Sequence, residues 1–200
     1  MANNFVNGFA SIVTAGEFYQ SNASDTSTGP QTVYTANNGS SGVNSILIEL
    51  DAANTGSAGI TVSAFIQDTS STLGTVSSIA SSSDVATVTT ASAHGLKVGQ
   101  YVNVTGSSTN FVNGMYKVAS VPSTTTFTYA QNSGAANGSA AGTILIYKAY
   151  HIVKDAPVPA SSTLKIVAGQ KIVLNSNDKV IAYASAATCD IVAGILQEVT

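Results

Sequence analysis

Short apolar runs with a period of two govern this chain. Ile60, Val62, Ala64 and Ile66 alternate with Thr61, Ser63 and Phe65. Successive strand residues point to opposite faces, so the pattern predicts a strand with one face in a core. Comparable runs return roughly every ten residues. They lie at 32–35 and 45–50, and again at 150–153, 163–167, 171–174, 179–183 and 191–196. Asn-Gly at 38–39, Asn-Thr-Gly at 54–56 and Ala-Gly at 168–169 mark turns between them. No window of about a dozen residues keeps the 3–4 spacing of a helix, and good helix formers are scarce. The chain is expected to be all-β: a β-sandwich trunk with a second, small β-barrel-like module.

Composition narrows the function. Seven lysines, no arginine and ten acids leave a net charge of −3 on 200 residues. Disordered chains combine low hydrophobicity with high net charge, and this chain has neither. Serine and threonine, about a quarter of the residues, therefore read as exposed strand faces and turns. Lys97, Lys117, Lys148, Lys154, Lys165, Lys171 and Lys179 never cluster, so no nucleic-acid partner is expected. The start of the chain lacks the basic and apolar segments of a signal peptide. Nowhere do about eighteen apolar residues run together, so no membrane partner is expected and folding in a cytosol is the default.

Reactive constellations are missing as well. Cys189 is the single cysteine; it makes neither an intrachain disulfide nor a cysteine metal cage and reads as a small core residue. His94, in Ala-His-Gly-Leu, has no acidic or cysteine neighbour and reads as a turn histidine. His151 reads as occupying one face of a strand. Glu17, Glu49 and Glu198 are the only glutamates, the seven aspartates mostly fall in apparent turns, and tryptophan is absent. A glycosidase cleft needs two convergent acids among sugar contacts, and a serine hydrolase needs a Gly-x-Ser-x-Gly elbow. Neither pattern is here. No catalytic, cofactor-binding or metal-binding residue is assigned, no cofactor is implied, and no enzyme activity is expected.

The first twenty residues stand out. They hold Phe5, Phe9 and Phe18, three of the six phenylalanines, together with Tyr19. One reading is a strand folded onto the trunk core. The other is an arm that packs on a neighbouring subunit, since chain ends reach outward and aromatic residues are enriched in interfaces. Phe5, Phe9, Phe18 and Tyr19 are the candidate partner contacts.

Between about 70 and 142 the composition shifts to Ser, Thr, Ala and Gly around a self-contained set of strands, with the runs at 77–83 and 132–142 reading as linkers. The spacing predicts a discontinuous trunk, 1–75 with 146–200, and a module at 76–145 inserted into a hairpin loop.

The run VATVTTASAHGLKVGQYVNVTG (85–106), followed by FVNGMYKVASVPSTTTFTYA (111–130), resembles a small β-module that recurs in phage virion proteins. That module is often labelled after the first catalytic cysteine half-domain of ubiquitin-activating enzymes, for its fold and not its chemistry. The trunk segments TVYTA (32–36), ITVSAFIQDT (60–69), YHIVKDAPVPASSTLKIV (150–167) and KIVLNSNDKVIAYASAATCDIVAGILQEV (171–199) look like small β-sandwich virion proteins of tailed phages. The resemblance implies a structural protein of the virion, made in the host cytoplasm. Its partners would be the major capsid protein or other virion proteins, and further copies of itself, a trimer being one closed form. Capsid decoration or cement is the favoured role. A neck, collar or tail component, with host-glycan adhesion through the inserted module, is the alternative, and a carbohydrate-binding or depolymerising module is a third.

Overall fold

A computed structural model describes residues 4–12, 30–36, 44–73, 75–108, 112–131 and 138–199. They form strands and turns throughout, with no α-helix among the described residues. The described residues within 4–12, 30–70 and 150–199 make one compact unit, and those within 71–149 make another.

The first unit is a sandwich. Its elements are β1 (Asn4–Ile12), β2 (Gln31–Thr35), β3 (Asn44–Asn54) and the start of β4 (Ile60–Thr72). The end of β11 (Gly142–Val158), β12 (Thr163–Leu174), β13 (Lys179–Ala184) and β14 (Cys189–Val199) complete it. One antiparallel sheet runs β1-β14-β3-β12, and the facing strands run β11-β4-β13-β2. Leu47, Leu50 and Ala52 of β3 meet Val62 and Ala64 of β4, Val180 and Ala182 of β13, and Ile191, Ala193 and Ile195 of β14. Each large aliphatic side chain buried there contributes about 1.5–3 kcal/mol. The period of two breaks once in β3: the register passes from Ile195↔Leu47 to Gly194↔Glu49. Ile48 is the extra residue, so Leu47 and Leu50 both face inward.

Two buried polar side chains fasten the ends of this sandwich. Asn54 Nδ2 donates to the carbonyls of Ala58 (2.8 Å), Val158 (3.1 Å) and Pro159 (3.1 Å), while its Oδ1 accepts from the Gly56 amide at 2.9 Å. The Asp178 carboxylate accepts from the amides of Asn175 (2.9 Å) and Thr69 (3.0 Å). Both residues close turns through their side chains.

Local expectations change in three places. In β4, Val62, Ser63, Ala64 and Phe65 are all buried, so both faces are covered where alternation predicts only one. Phe65 lies beside the rings of His151 and Tyr183, at centroid distances of 5.9 and 6.4 Å. Ala168-Gly169 is not a turn: β12 runs through it with a register shift between Ala168 and Ile172. Gly169, at φ 77°, supplies the left-handed residue that such an irregularity uses. The run at 77–83, expected as a linker, is mostly strand β5 (Val76–Ser82). Ile79 and Ser81 face inward between exposed serines, and one buried isoleucine outweighs the serine-rich composition.

The second unit holds β5, β6 (Val85–Thr90), β7 (Tyr101–Ser107), β8 (Gly114–Ser123), β9 (Thr126–Ala130), β10 (Gly138–Ser139) and the start of β11. Its order is β10-β5-β6-β9-β8-β7-β11. Ser83 and Asp84 join β5 to β6 with φ of 52° and 61°, the two positive values that a two-residue hairpin turn requires. The core packs Ile79, Val88, Val102, Val104, Val118 and Ile146 around Phe127 and a stacked pair, Tyr116 and Tyr129, whose centroids lie 4.1 Å apart. The Tyr129 hydroxyl donates to the Val112 carbonyl at 3.2 Å.

Candidate interaction surface

β1 pairs with β14 along its whole length, from Asn4↔Gln197 to Ile12↔Cys189. The period of two divides its side chains cleanly. Ile12 is in the core, Val6 and Ala10 pack against it, and Gly8 is buried between them. A Cβ on Gly8 would stand 2.7 Å from the Val33 carbonyl oxygen and 3.2 Å from the Tyr34 Cβ. Glycine is what lets β1 lie this close. Phe5, Asn7, Phe9 and Ser11 therefore point outward, and Phe5 and Phe9 are 74% and 66% exposed. The segment is a strand of the trunk that keeps its aromatic side chains outside. Phe18 and Tyr19, the other two candidate contacts, lie outside the described residues.

The registers extend that face across all four strands. Phe5 lies opposite Leu196, Leu196 opposite Ile46, and Ile46 opposite Val173. This is an unbroken apolar row, ending in a valine that is 57% exposed. Two residues along β1 and β14, past the irregularities in β3 and β12, the row reads Asn7, Gly194, Glu49 and Ala168. The next reads Phe9, Val192, Asp51 and Lys165, with Val192 42% exposed. Lys165 Nζ reaches Glu49 Oε1 at 2.8 Å and Asp51 Oδ2 at 3.6 Å. The hydrogen bond from Lys165 holds the Glu49 carboxyl below its ordinary range, and Glu49 in turn raises Lys165. Below them Ser11 Oγ donates to Asp190 Oδ1 at 2.6 Å.

The solvent side of an antiparallel sheet ordinarily alternates to polar residues. This one carries six apolar side chains instead, with Glu49, Asp51 and Lys165 drawn together on β3 and β12. A contiguous exposed apolar patch marks an interaction surface.

The remaining polar groups sit apart. His94 is buried, its Nδ1 accepting from the Leu96 amide at 3.0 Å, with its ring at a steep angle to Phe127. It lines a hollow of about 360 Å³ with Ala93, Gly95, Leu96, Val121, Ser123 and Thr124, and no carboxylate joins it there. Burial, then the Asp190 charge, pushes the Cys189 thiol up to about 11, so the nucleophilic thiolate is scarce at neutral pH. Among the described residues no three His, Cys, Asp or Glu side chains gather as metal ligands, and no helix is long and apolar enough to cross a membrane.

Ile46, Val173, Val192 and Leu196 were not singled out by sequence. All four lie in continuous apolar runs, where the outward members depend on the bulges in β3 and β12. Alternation in Phe5-Val6-Asn7-Gly8-Phe9 carries a legible signal, since only one face of such a strand fits a core. Compared with family models, with curated proteins and with solved structures, the chain matches none.

Proposed function

We propose that this chain is a non-enzymatic structural protein of a tailed-phage virion, a capsid decoration or cement subunit, and that it docks through the outer face of β1-β14-β3-β12. The observation that carries the docking reading is the outward-facing row Phe5, Leu196, Ile46 and Val173, half-buried in the middle and exposed at both ends, together with the exposed Phe9 and Val192. The virion assignment is supported by the phage-module resemblance of 85–106 and 111–130. Low charge favours the dense packing of identical subunits, because like-charged neighbours repel. A threonine- and serine-rich exterior keeps strand propensity high while staying wet.

The test is stoichiometry in purified particles. The protein is quantified against the major capsid protein, for the natural sequence and for a Phe5→Ser/Phe9→Ser variant. A cement subunit is present on the order of hundreds of copies, following the capsid lattice, and the variant is lost from particles. A dozen copies or fewer would assign it to the neck or tail instead. Undiminished retention of the variant would remove the face from the attachment mechanism.

A further inference from the structure

We infer that the outer face of β1-β14-β3-β12 takes a second copy of this chain, the two sheets packing face to face about a two-fold axis that runs along the strands between β14 and β3. The inference rests on the reading of this face as a protein-docking surface and names its occupant.

Three observations point to a copy of the chain itself. The first is size. Four strands at about 4.8 Å spacing and nine residues at about 3.4 Å make a face of roughly 19 by 30 Å. With side-chain relief it offers on the order of 800 Å² per copy, the area each partner buries in a stable interface.

The second is the order of side chains along the apolar row. An axis between the second and third strands reverses that row, so Phe5 meets Val173 of the second copy and Leu196 meets Ile46. Both contacts occur twice, as an isologous interface requires. The bulkiest side chain of the row falls opposite one of the smallest, and the two medium ones fall opposite each other. Interdigitation of large with small is how packed sheets fill the space between them.

The third is charge. The same operation brings Lys165 over Phe9, a cation on an aromatic face. Glu49 falls opposite Gly194, and Asp51 opposite Val192, already beside its own Lys165. No carboxylate meets a carboxylate. An axis across the strands through the Asn7 row would instead set Glu49 against its own copy, and two like charges face to face repel; Asp51 meets an apolar side chain under either axis. The registers therefore select one orientation over the other.

Sedimentation of the purified full chain tests the occupant, and cross-linking tests the axis. The natural sequence is expected to sediment at twice 20.1 kDa. Val173→Lys and Phe5→Ser should each weaken self-association at least about tenfold while leaving the melting temperature, measured at a dilution where the natural chain is monomeric, unchanged. Sheets packed face to face stand about 10 Å apart, beyond the Cα separation of about 7 Å that a direct disulfide spans. Separately made Phe5→Cys and Val173→Cys chains, mixed and treated with a short thiol-to-thiol cross-linker, should therefore give a covalent dimer whose digest contains the 5–173 link. A digest with only 5–5 links overturns the stated axis. A chain that stays monomeric at about 100 µM overturns the second copy as occupant. If Phe5→Ser is then still lost from particles, the docking reading stands alone and the face belongs to another virion protein. If retention too is unchanged, both readings fall.

Discussion

The two units place their aromatic side chains differently. In the second unit Tyr116, Phe127 and Tyr129 are buried and stacked within the core. In the first, the layer between the sheets is aliphatic, with Tyr34 as its aromatic member, and Phe65 and Tyr183 are buried outside that layer, while Phe5 and Phe9 stand in solvent on the far side of β1. A ring inside a core stabilises the fold whether or not the protein meets anything. A ring left in water on a flat sheet does neither until something covers it. The contrast separates side chains that make the fold from side chains available for association.

The sharpest break of this comparison is Tyr129→Ala. It removes a stacked, fully buried ring and leaves the Val112 carbonyl without its hydroxyl partner, so urea unfolding should show a loss of about 3–5 kcal/mol. Next comes Asn54→Ala in the first unit, which strips hydrogen bonds from three backbone carbonyls. A cost of about 1–3 kcal/mol is expected in the same assay. Gly8→Ala puts a methyl group against the Val33 carbonyl and should cost a similar amount, about 1–3 kcal/mol. Faster hydrogen exchange of the β1 amides would mark it as a local effect.

Acid should act on the first unit through His151. Burial, and secondarily Lys154, hold its imidazole below the ordinary value of 6.5. The folded chain therefore takes up that proton later than the unfolded one as pH falls. The contribution is fully present above about 6.5 and is lost as pH drops from there through the lowered folded value. Urea midpoints at pH about 7.5 and 5.5 should diverge for the natural sequence and converge for His151→Gln. Smallest of all is the effect of Phe5→Ser/Phe9→Ser on the isolated fold, within about 0.5 kcal/mol. A larger loss would show that these rings do support the sandwich, and the contrast between the units would fail.

Much of the strand content was legible because a strand repeats every two residues, and Ile60–Ile66 or Phe5–Phe9 display that period without help from the rest of the chain. The same logic failed at β4, where Phe65 and Ser63 are covered on the face expected to be wet. It failed again at β5, where serine-rich composition masked a strand anchored by Ile79, and at 168–169, where an irregularity in β12 resembles a turn. Of the interaction surface, Phe5 and Phe9 could be picked out as aromatic residues near a chain end. Their companions Ile46, Val173, Val192 and Leu196 could not, because each sits in a run that is apolar on both faces.

Local sequence alone, through alternation, turn residues and missing helix formers, determined that this protein is built of strands. Which strands neighbour one another, and hence that Phe5, Leu196, Ile46 and Val173 fall in one line, was decided only by the folded sheet. Register depends on bulges and on pairings between residues as far apart as Asn4 and Gln197, and one shifted residue moves a side chain from core to solvent.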